Sequence, residues 1–439
     1  MMRAFITLAT TMMVVILGSC GTDYEVSTSE PPQGSIQDIE KDLQSELILA
    51  NDGDTIDLPA GVFGFTRSIL LEGKSNILLR GAGMDKTILS FRNQEEGAEG
   101  MRVSNGTNIV LADFTIQDAK GDNIKTNDIN GISFINIKSE WTGEPDETNG
   151  AYSLYPVMCK NVLIDGCVAI GASDAGIYVG QSTNVIVRNS EAYNNVAGIE
   201  IENTVRADVY NNSAHDNTGG ILVFDLPGLS QLGQQTRVFS NNVYRNNYTN
   251  FAPEGNIVGA VPPGTGVMIL ASKDVEIFNN EIIDNKTGSI ALISYLFVEA
   301  TSEPVEEDES RDLSMAGNIA AYKADKSYDP YPSGISIHGN KISNGYSFPT
   351  FENDIGYLLL FKFWANGPEI LFDGITDPKL GDTPDMTSIL CLKDNGEAAF
   401  ANLDAFNDFA NVSQNKQPHD CTMQPLPEVI LGENLIANE

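Results

Sequence analysis

Gly176-Ile177-Tyr178-Val179-Gly180-Gln181-Ser182, Gly198-Ile199-Glu200-Ile201-Glu202-Asn203-Thr204 and Gly220-Ile221-Leu222-Val223-Phe224-Asp225-Leu226 are three versions of one stretch, stepped 22 residues apart. Each opens a short apolar run. After each comes a second β-like run and an Asn-rich corner: VIVRNSEAYNN from Val185, ADVYNNSAHDN from Ala207 and, past a short insertion, RVFSNNVYRNN from Arg237. A fixed period of this length, carrying short strands instead of helices, marks a solenoid. The expected fold is all-β, a parallel β-helix whose coils stack because none can bury its core alone.

The period extends in both directions. Coil-opening runs read as GMRV from Gly100, GDNI from Gly121, GAYSLYPV from Gly150, GVMI from Gly266, SIAL from Ser289 and GISI from Gly334. Spacing is uneven where loops interrupt the corners, most of all between Gly220 and Gly266 and between Ser289 and Gly334. The second excess holds EATSEPVEEDESRDLS, an acidic surface loop. LFKFW and EILFDGI are expected to supply the last coil, and the period is lost beyond about Thr376. Corner asparagines align as Asn189, Asn211 and Asn279; as Asn212, Asn241 and Asn280; and as Asn195, Asn217, Asn246 and Asn285. Stacked amides one strand spacing apart can form a hydrogen-bonded ladder.

Before the coils, Ile36, Ile39, Leu43 and Leu47 recur at helical steps and predict a helix over 36–50. Ser35 and Asp38 are placed for a capping box. Helix, then GDTIDLPAGVF, then SNILLRGAG resembles the N-terminal cap of right-handed β-helix proteins of the pectate-lyase-like superfamily. That resemblance implies a helix plugging the open end of the solenoid. It also implies a right-handed coil, to which the loss of the period beyond Thr376 adds a non-repeat C-terminal extension.

The first residues are not part of the fold. Arg3 precedes the apolar run Ala4 to Leu17, and Leu17-Gly18-Ser19-Cys20 is similar to a bacterial lipobox. The resemblance implies a signal peptide over 1–19 and lipidation of Cys20. Gly21 after the cysteine implies the outer membrane, and an unlipidated product would be released to the periplasm. Residues 20–35 read as a polar tether, 36–376 as the β-helix with its capping helix, and 377–439 as the C-terminal extension. The formal charge of −34 becomes −35 once Arg3 is removed. So acidic a chain lacks the basic face nucleic acid requires. An exported compartment permits disulfides, and of the four remaining cysteines Cys391 with Cys421 is the expected pair, while Cys159 and Cys167 fit buried apolar positions.

Alternation along a strand turns Ile177, Val179, Ile199, Ile201, Ile221 and Val223 inward. Tyr178, Glu200 and Leu222 then stack outward, with Gly180, Glu202 and Phe224 in the next row and Asp225 past the strand end. The expected solvent face therefore gathers Tyr178, Glu200 and Glu202 as catalytic candidates and Asp225 as a substrate contact. Lys160 and Arg206 are candidate cations of the same coils. Such a face suits a polysaccharide: Tyr, Lys or Arg can exchange a proton beside a sugar carboxylate, as in a lyase or C5-epimerase, and paired carboxylates can support hydrolysis. Metal dependence stays open, with Ca²⁺ the cation such carboxylates would hold.

GAYSLYPVM from Gly150 resembles the Y-G-I-D-P-H-D stretch of β-helix mannuronan C5-epimerases, keeping Tyr152 and Pro156. Tyr155, Val157 and Met158 stand where that family has Asp, His and Asp. The resemblance supports the superfamily and speaks against that active site, since valine cannot transfer a proton. None of His215, His338 and His419 has triad or metal spacing; His215 aligns with Tyr193 and Tyr244 as a stacking residue. The expectation is a cell-envelope lipoprotein that binds, and possesses candidate groups to modify, a polysaccharide. The alternative is a non-catalytic scaffold that binds a glycan or a partner protein through the loops Leu226 to Gln235 and Val298 to Tyr331.

Overall fold

The computed structural model describes residues 37–301, 315–381 and 384–432. The signal segment, Cys20, the tether, Ser35, Ile36 and residues 302–314 of the acidic insertion lie outside the described residues. The described chain winds as a right-handed parallel β-helix with three sheets. One coil shows the plan: Ala175–Gly180 lies in sheet I, Thr183–Arg188 in sheet II and Glu191–Tyr193 in sheet III. Sheets I and II have eleven strands each and sheet III has ten, all paired in parallel.

Two features of the repeat explain the stacking. Ile177, Val179, Ile199, Ile201, Ile221 and Val223 all point into one continuous core with Val185, Val187, Val209 and Ala214. The glycine that opens each repeat stands where the next coil presses closest. A β-carbon on Gly198 would meet the Gly220 carbonyl oxygen at 2.7 Å and the Asn217 amide at 2.8 Å, so only glycine fits.

Two of the three asparagine sets form ladders inside the corners. In one, Asn195, Asn217 and Asn246 each pass an Nδ2–H to the next Oδ1 at 2.9–3.1 Å, ending at Asn285. Each Oδ1 also accepts the previous asparagine's backbone N–H, as Asn217 does from Asn195 at 3.0 Å. The other runs from Asn212 through Asn241 and Asn280 and continues to Asn340 and Asn395. Asn189, Asn211 and Asn279 do something different. They sit one residue earlier at φ of 52°, 55° and 56°, the left-handed turn conformation that asparagine tolerates. Asn189 donates to Asp165 Oδ1 instead.

The helix α1 (Glu40–Leu49) is shorter than expected. It begins at Glu40, whose N–H is taken by Asp38 Oδ1 at 3.1 Å, while Ser35, the other half of the expected capping box, lies outside the described residues. Leu43 and Leu47 close the bottom of the core. The Gln44 side chain accepts from Leu70 N–H and donates to Leu70 C=O, both at 2.9 Å, standing in for the missing strand before the first of sheet I.

Three later segments depart from the sequence reading. GISI opens no coil: Ser333–His338 pairs with Lys273–Phe278 in sheet II, completing the coil begun by Gly288–Ile293 after an insertion. LFKFW is no strand but the end of helix α4 (Asp354–Phe363), after α2 (Tyr295–Thr301) and α3 (Met315–Ala324). Beyond Thr376, Leu390–Lys393 and Phe400–Asn402 each add a strand to sheets II and I. Cys391 is disulfide-bonded to Cys421, and Cys159 and Cys167 are free and buried. The tail then crosses the outside of sheet II, where Leu426 N–H and Val429 N–H donate to Glu276 and Asp208, each at 3.1 Å.

Replacing Asn217 by Ala removes its hydrogen bonds to two buried backbone groups, Asn195 N–H and Ala192 C=O, each worth roughly 1–3 kcal/mol, so a loss of about 2–4 kcal/mol is expected in denaturant unfolding. Asn189→Gly, which only relaxes a left-handed corner, should change stability by less than about 0.5 kcal/mol. Equal effects at the two positions would contradict the division between ladder and turn.

Candidate functional site

The outward rows of sheet I follow the strand alternation. Tyr178 pairs with Glu200 and Glu200 with Leu222; Gly180 pairs with Glu202 and Glu202 with Phe224. The face they form is not exposed to solvent, contrary to expectation. Corner insertions reach over it from both edges of the sheet: 245–264 and 344–369 from the sheet III side, 225–233 and the described segments 294–301 and 315–332 from the sheet II side. Their apolar residues, among them Leu226, Ile257, Val258, Tyr295, Tyr328 and Leu359, pack on Tyr178, Leu222 and Phe224 as a second core. Tyr178, Glu200, Glu202 and Asp225 are thereby only 2–6% exposed. Both loops read as candidate partner surfaces supply this roof through Leu226 and Tyr328.

Under the roof, Asp174, Glu200, Glu202 and Tyr152 line a cavity of about 20 Å³, closed by Leu226, Leu229, Ile257 and Val258. That is room for about one water molecule. The Tyr178 hydroxyl donates to Glu202 Oε1 at 2.6 Å. Tyr152 Oη and Asn256 Nδ2 donate to Asp174 Oδ2 at 3.3 and 3.4 Å. Glu200 Oε2 is buried with no hydrogen-bond partner. Asp225 stands beyond the strand end, its Oδ1 accepting from Gly233 N–H at 2.7 Å.

Burial dominates the electrostatics. Desolvation, then the charge of Glu202, lifts the Asp174 carboxyl to about 8, against the lowering hydrogen bond from Tyr152. Desolvation lifts Glu202 to about 7, partly offset by Tyr178 and reinforced by Asp225. Glu200 is also pushed up, by burial first and then by Asp174 and Glu202. Asp225 rises to about 7 by burial, with Gly233 N–H and Lys273 opposing. Carboxyls that titrate near neutrality can hold a proton or take one, the property acid–base chemistry needs. Among the described residues no group of three His, Cys, Asp or Glu side chains is placed to hold a metal ion.

Lys160 and Arg206 do not join the site. Both are exposed on sheet II strands, and Arg206 Nε donates to Asn184 Oδ1 at 2.7 Å. Two other cations extend the Tyr178 row. Leu70 pairs with Arg102, Arg102 with Lys125 and Lys125 with Tyr155, whose ring meets Tyr178 edge-on at 4.9 Å. Lys125 Nζ lies 4.6 Å over the Tyr155 ring and 3.9 Å from Asp122, and Arg102 is exposed. Asp122 itself is raised to about 7 by burial, against Lys125 and helped by Glu99. This end of the face lies outside the roof. The alternation that placed Tyr178 outward does the same for Arg102 in GMRV and Lys125 in GDNIK, so both were legible but unread.

The histidines stay apart from the cavity. His215 stacks between Tyr193 and Tyr244 at 5.3 and 4.7 Å, and His338 stacks on Phe278 and contacts Glu276 at 3.0 Å. His419 is buried, its Nδ1 3.2 Å from the Leu390 carbonyl and its ring edge-on to Phe400.

Stacked coils and three parallel sheets define a β-helix repeat protein. The chain belongs to the right-handed β-helix region family, whose model matches residues 65–228 and 147–302. No curated protein matches it in sequence. Its fold is similar to the A-module of mannuronan C-5 epimerase AlgE4 of Azotobacter vinelandii, at 16% identity and a TM-score of 0.49 over 82% of this chain and 91% of that one. It is also similar to alginate lyase AlyF-OU02, at 12% identity and 0.46 over 82% and 70%. An N-terminal fragment of the bacteriophage Phi29 gene product 12 matches at 16% identity and 0.43 over 70% and 55%. At these identities the likeness is one of fold.

The raised carboxyls fix the pH dependence of stability. Between pH 4 and 8 the unfolded chain has lost the protons of Asp174, Glu202 and Asp225 while the folded chain keeps them, so stability falls as pH rises through that window. Thermal melts should show a higher midpoint at pH 5 than at pH 8, and Glu202→Gln should narrow the gap by raising the pH 8 value. A midpoint that rises from pH 5 to 8 would sink this reading.

Proposed function

We propose that this protein binds a uronate-containing polysaccharide along the outward face of sheet I and modifies it at the Tyr178–Glu202 pair. The observation that carries the proposal is the row Arg102, Lys125, Tyr155, Tyr178, Glu200. On a chain of net charge −34 it sets two cations and stacked tyrosines directly beside carboxyls that titrate near neutrality. The cations neutralise sugar carboxylates and the tyrosine rings pack on pyranose faces. Neutralising a uronate carboxylate acidifies its C5–H. Glu202, ionised, takes that proton. The Tyr178 hydroxyl, on the same side of the ring as Glu202, protonates O4 as the C4–O bond breaks in a lyase.

The cavity admits about one water, so the sugar ring enters only when the roof segment 251–261 swings off Asp174. That closure also favours a second reading, a non-catalytic β-helix holding glycan on the open stretch alone. As for location, we place the protein in the bacterial envelope, lipid-anchored at Cys20 and facing the outer membrane, on the strength of Leu17-Gly18-Ser19-Cys20. Cys20→Ser should move it from the membrane to the soluble fraction, and an unchanged membrane fraction would refute the anchor.

Alginate and pectate, with and without Ca²⁺, test the function by ultraviolet absorbance of unsaturated products and by NMR of C5 inversion. Arg102→Ala and Lys125→Ala should each weaken uronate binding roughly tenfold, about 1.4 kcal/mol. Glu202→Gln and Tyr178→Phe should cut turnover at least about 100-fold with binding retained. Binding without turnover in the parent chain would transfer the weight to the scaffold reading. Binding indifferent to Arg102 and Lys125 would overturn the site.

A further inference from the structure

The insertion 344–369 carries a surface that the sheet I site does not use. Helix α4 (Asp354–Phe363) is apolar on nearly every side, with Asp354 and Lys362 its only charged residues. Leu359 and Phe363 face the roof, where a globular protein buries one stripe of such a helix. The other side presents Tyr357, Phe361 and Trp364 to solvent, and Trp364 is 70% exposed. Tyr346 and Phe348 lie exposed on the loop before the helix.

Trp364 is held there under strain. Its φ of 64° and ψ of −75° place a bulky residue in a backbone region it rarely adopts. Ala365 N–H donates to Phe363 C=O at 2.8 Å across it, closing a positive-φ γ-turn, while Trp364 N–H donates back to Leu360 at 2.7 Å. Glycine would meet this turn without strain, so packing alone gives no reason for tryptophan. Trp364, Tyr346 and Phe348 rim a small pocket that also contains Lys286, Ser347 and Glu369. Lys286 Nζ stands 4.7 Å over the Tyr346 ring and makes no ion pair among the described residues. Glu369 Oε2 is engaged by Ala399 N–H at 2.7 Å. The neighbouring cation, Lys362, is spent on the Phe409 carbonyl at 2.6 Å.

We propose that this pocket is a second saccharide site, which takes a uronate residue with its C–H face on Trp364 and its carboxylate on Lys286. An aromatic rim suits the apolar face of a pyranose, and Lys286, without an ion-pair partner among the described residues, complements the carboxylate. A bilayer or a second copy of the chain would require neither an aimed tryptophan nor a free cation. The site lies four to five strands further along sheet I than Tyr178, about 20 Å at one strand spacing each. Its uronate preference shares the reading of sheet I; its location and residues do not depend on it.

The chain contains two tryptophans, and Trp141 is buried, so a long-wavelength emission change reports on Trp364. Titration of the full chain with hexaguluronate should blue-shift that emission saturably, with cellohexaose at least fivefold weaker. Calorimetry with hexaguluronate should give two sites per chain. Trp364→Gly should remove one and raise the thermal midpoint by relieving the turn; Lys286→Ala should weaken the same site at least fivefold. Lys125→Ala should affect only the other, so failure of either site is seen separately. The proposal is overturned if Trp364→Gly leaves the stoichiometry unchanged. It is equally overturned if the emission answers only to phosphatidylcholine or phosphatidylglycerol vesicles, or only to rising protein concentration. An equal response to cellohexaose that survives Lys286→Ala overturns the uronate assignment.

Discussion

Parallel pairing between successive coils is the constraint on which everything else in this molecule depends. Each coil must present three strands in register to the coils above and below, one strand spacing away. That closeness excludes a β-carbon at Gly198 and leaves backbone groups inside the corners far from water. The asparagine ladders satisfy those groups from Asn195 to Asn285 in one corner and from Asn212 to Asn395 in the other. At the first coil, Gln44 supplies by side chain the hydrogen bonds that a preceding strand would have made.

The same alternation that fills the core decides what faces outward, but not whether water reaches it. Tyr178, Glu200 and Glu202 point away from the core and are nevertheless buried, because insertions at two corners fold over sheet I. Burial then changes their chemistry: carboxyls that would be ionised on a solvent face are lifted toward neutrality. The roof ends before Arg102, so one row of side chains passes from an open cationic stretch to a closed acidic one. In the function proposed above, the open end of this gradient binds the chain and the closed end reacts.

Fold and inward set were readable because a 22-residue period repeats the same physical demand three times over. The register of Tyr178 with Glu200 and Leu222 followed from it directly. What was not readable lies where the period breaks. GISI has the pattern of a coil opening, yet the insertion before it displaces it into sheet II. Asn189 and Asn212 share composition and neighbourhood, and only the backbone φ separates a turn residue from a ladder rung. Lys160 and Arg206 belong to the right coils but the wrong sheet, a distinction set by corner geometry that periodicity does not encode. The roof could not be foreseen because its contacts join segments far apart in the chain, such as Asp225 with Tyr328.

The central claim, that one row of sheet I carries a uronate chain from Arg102 to the cavity of Glu202, is tested most directly by amide hydrogen exchange with and without hexaguluronate. The account predicts slowed exchange in strands Glu96–Ser104, Ile124–Asn127 and Tyr152–Val157, together with altered exchange in the roof segment 251–261. Saturating oligosaccharide that leaves those strands and that segment unchanged would contradict it.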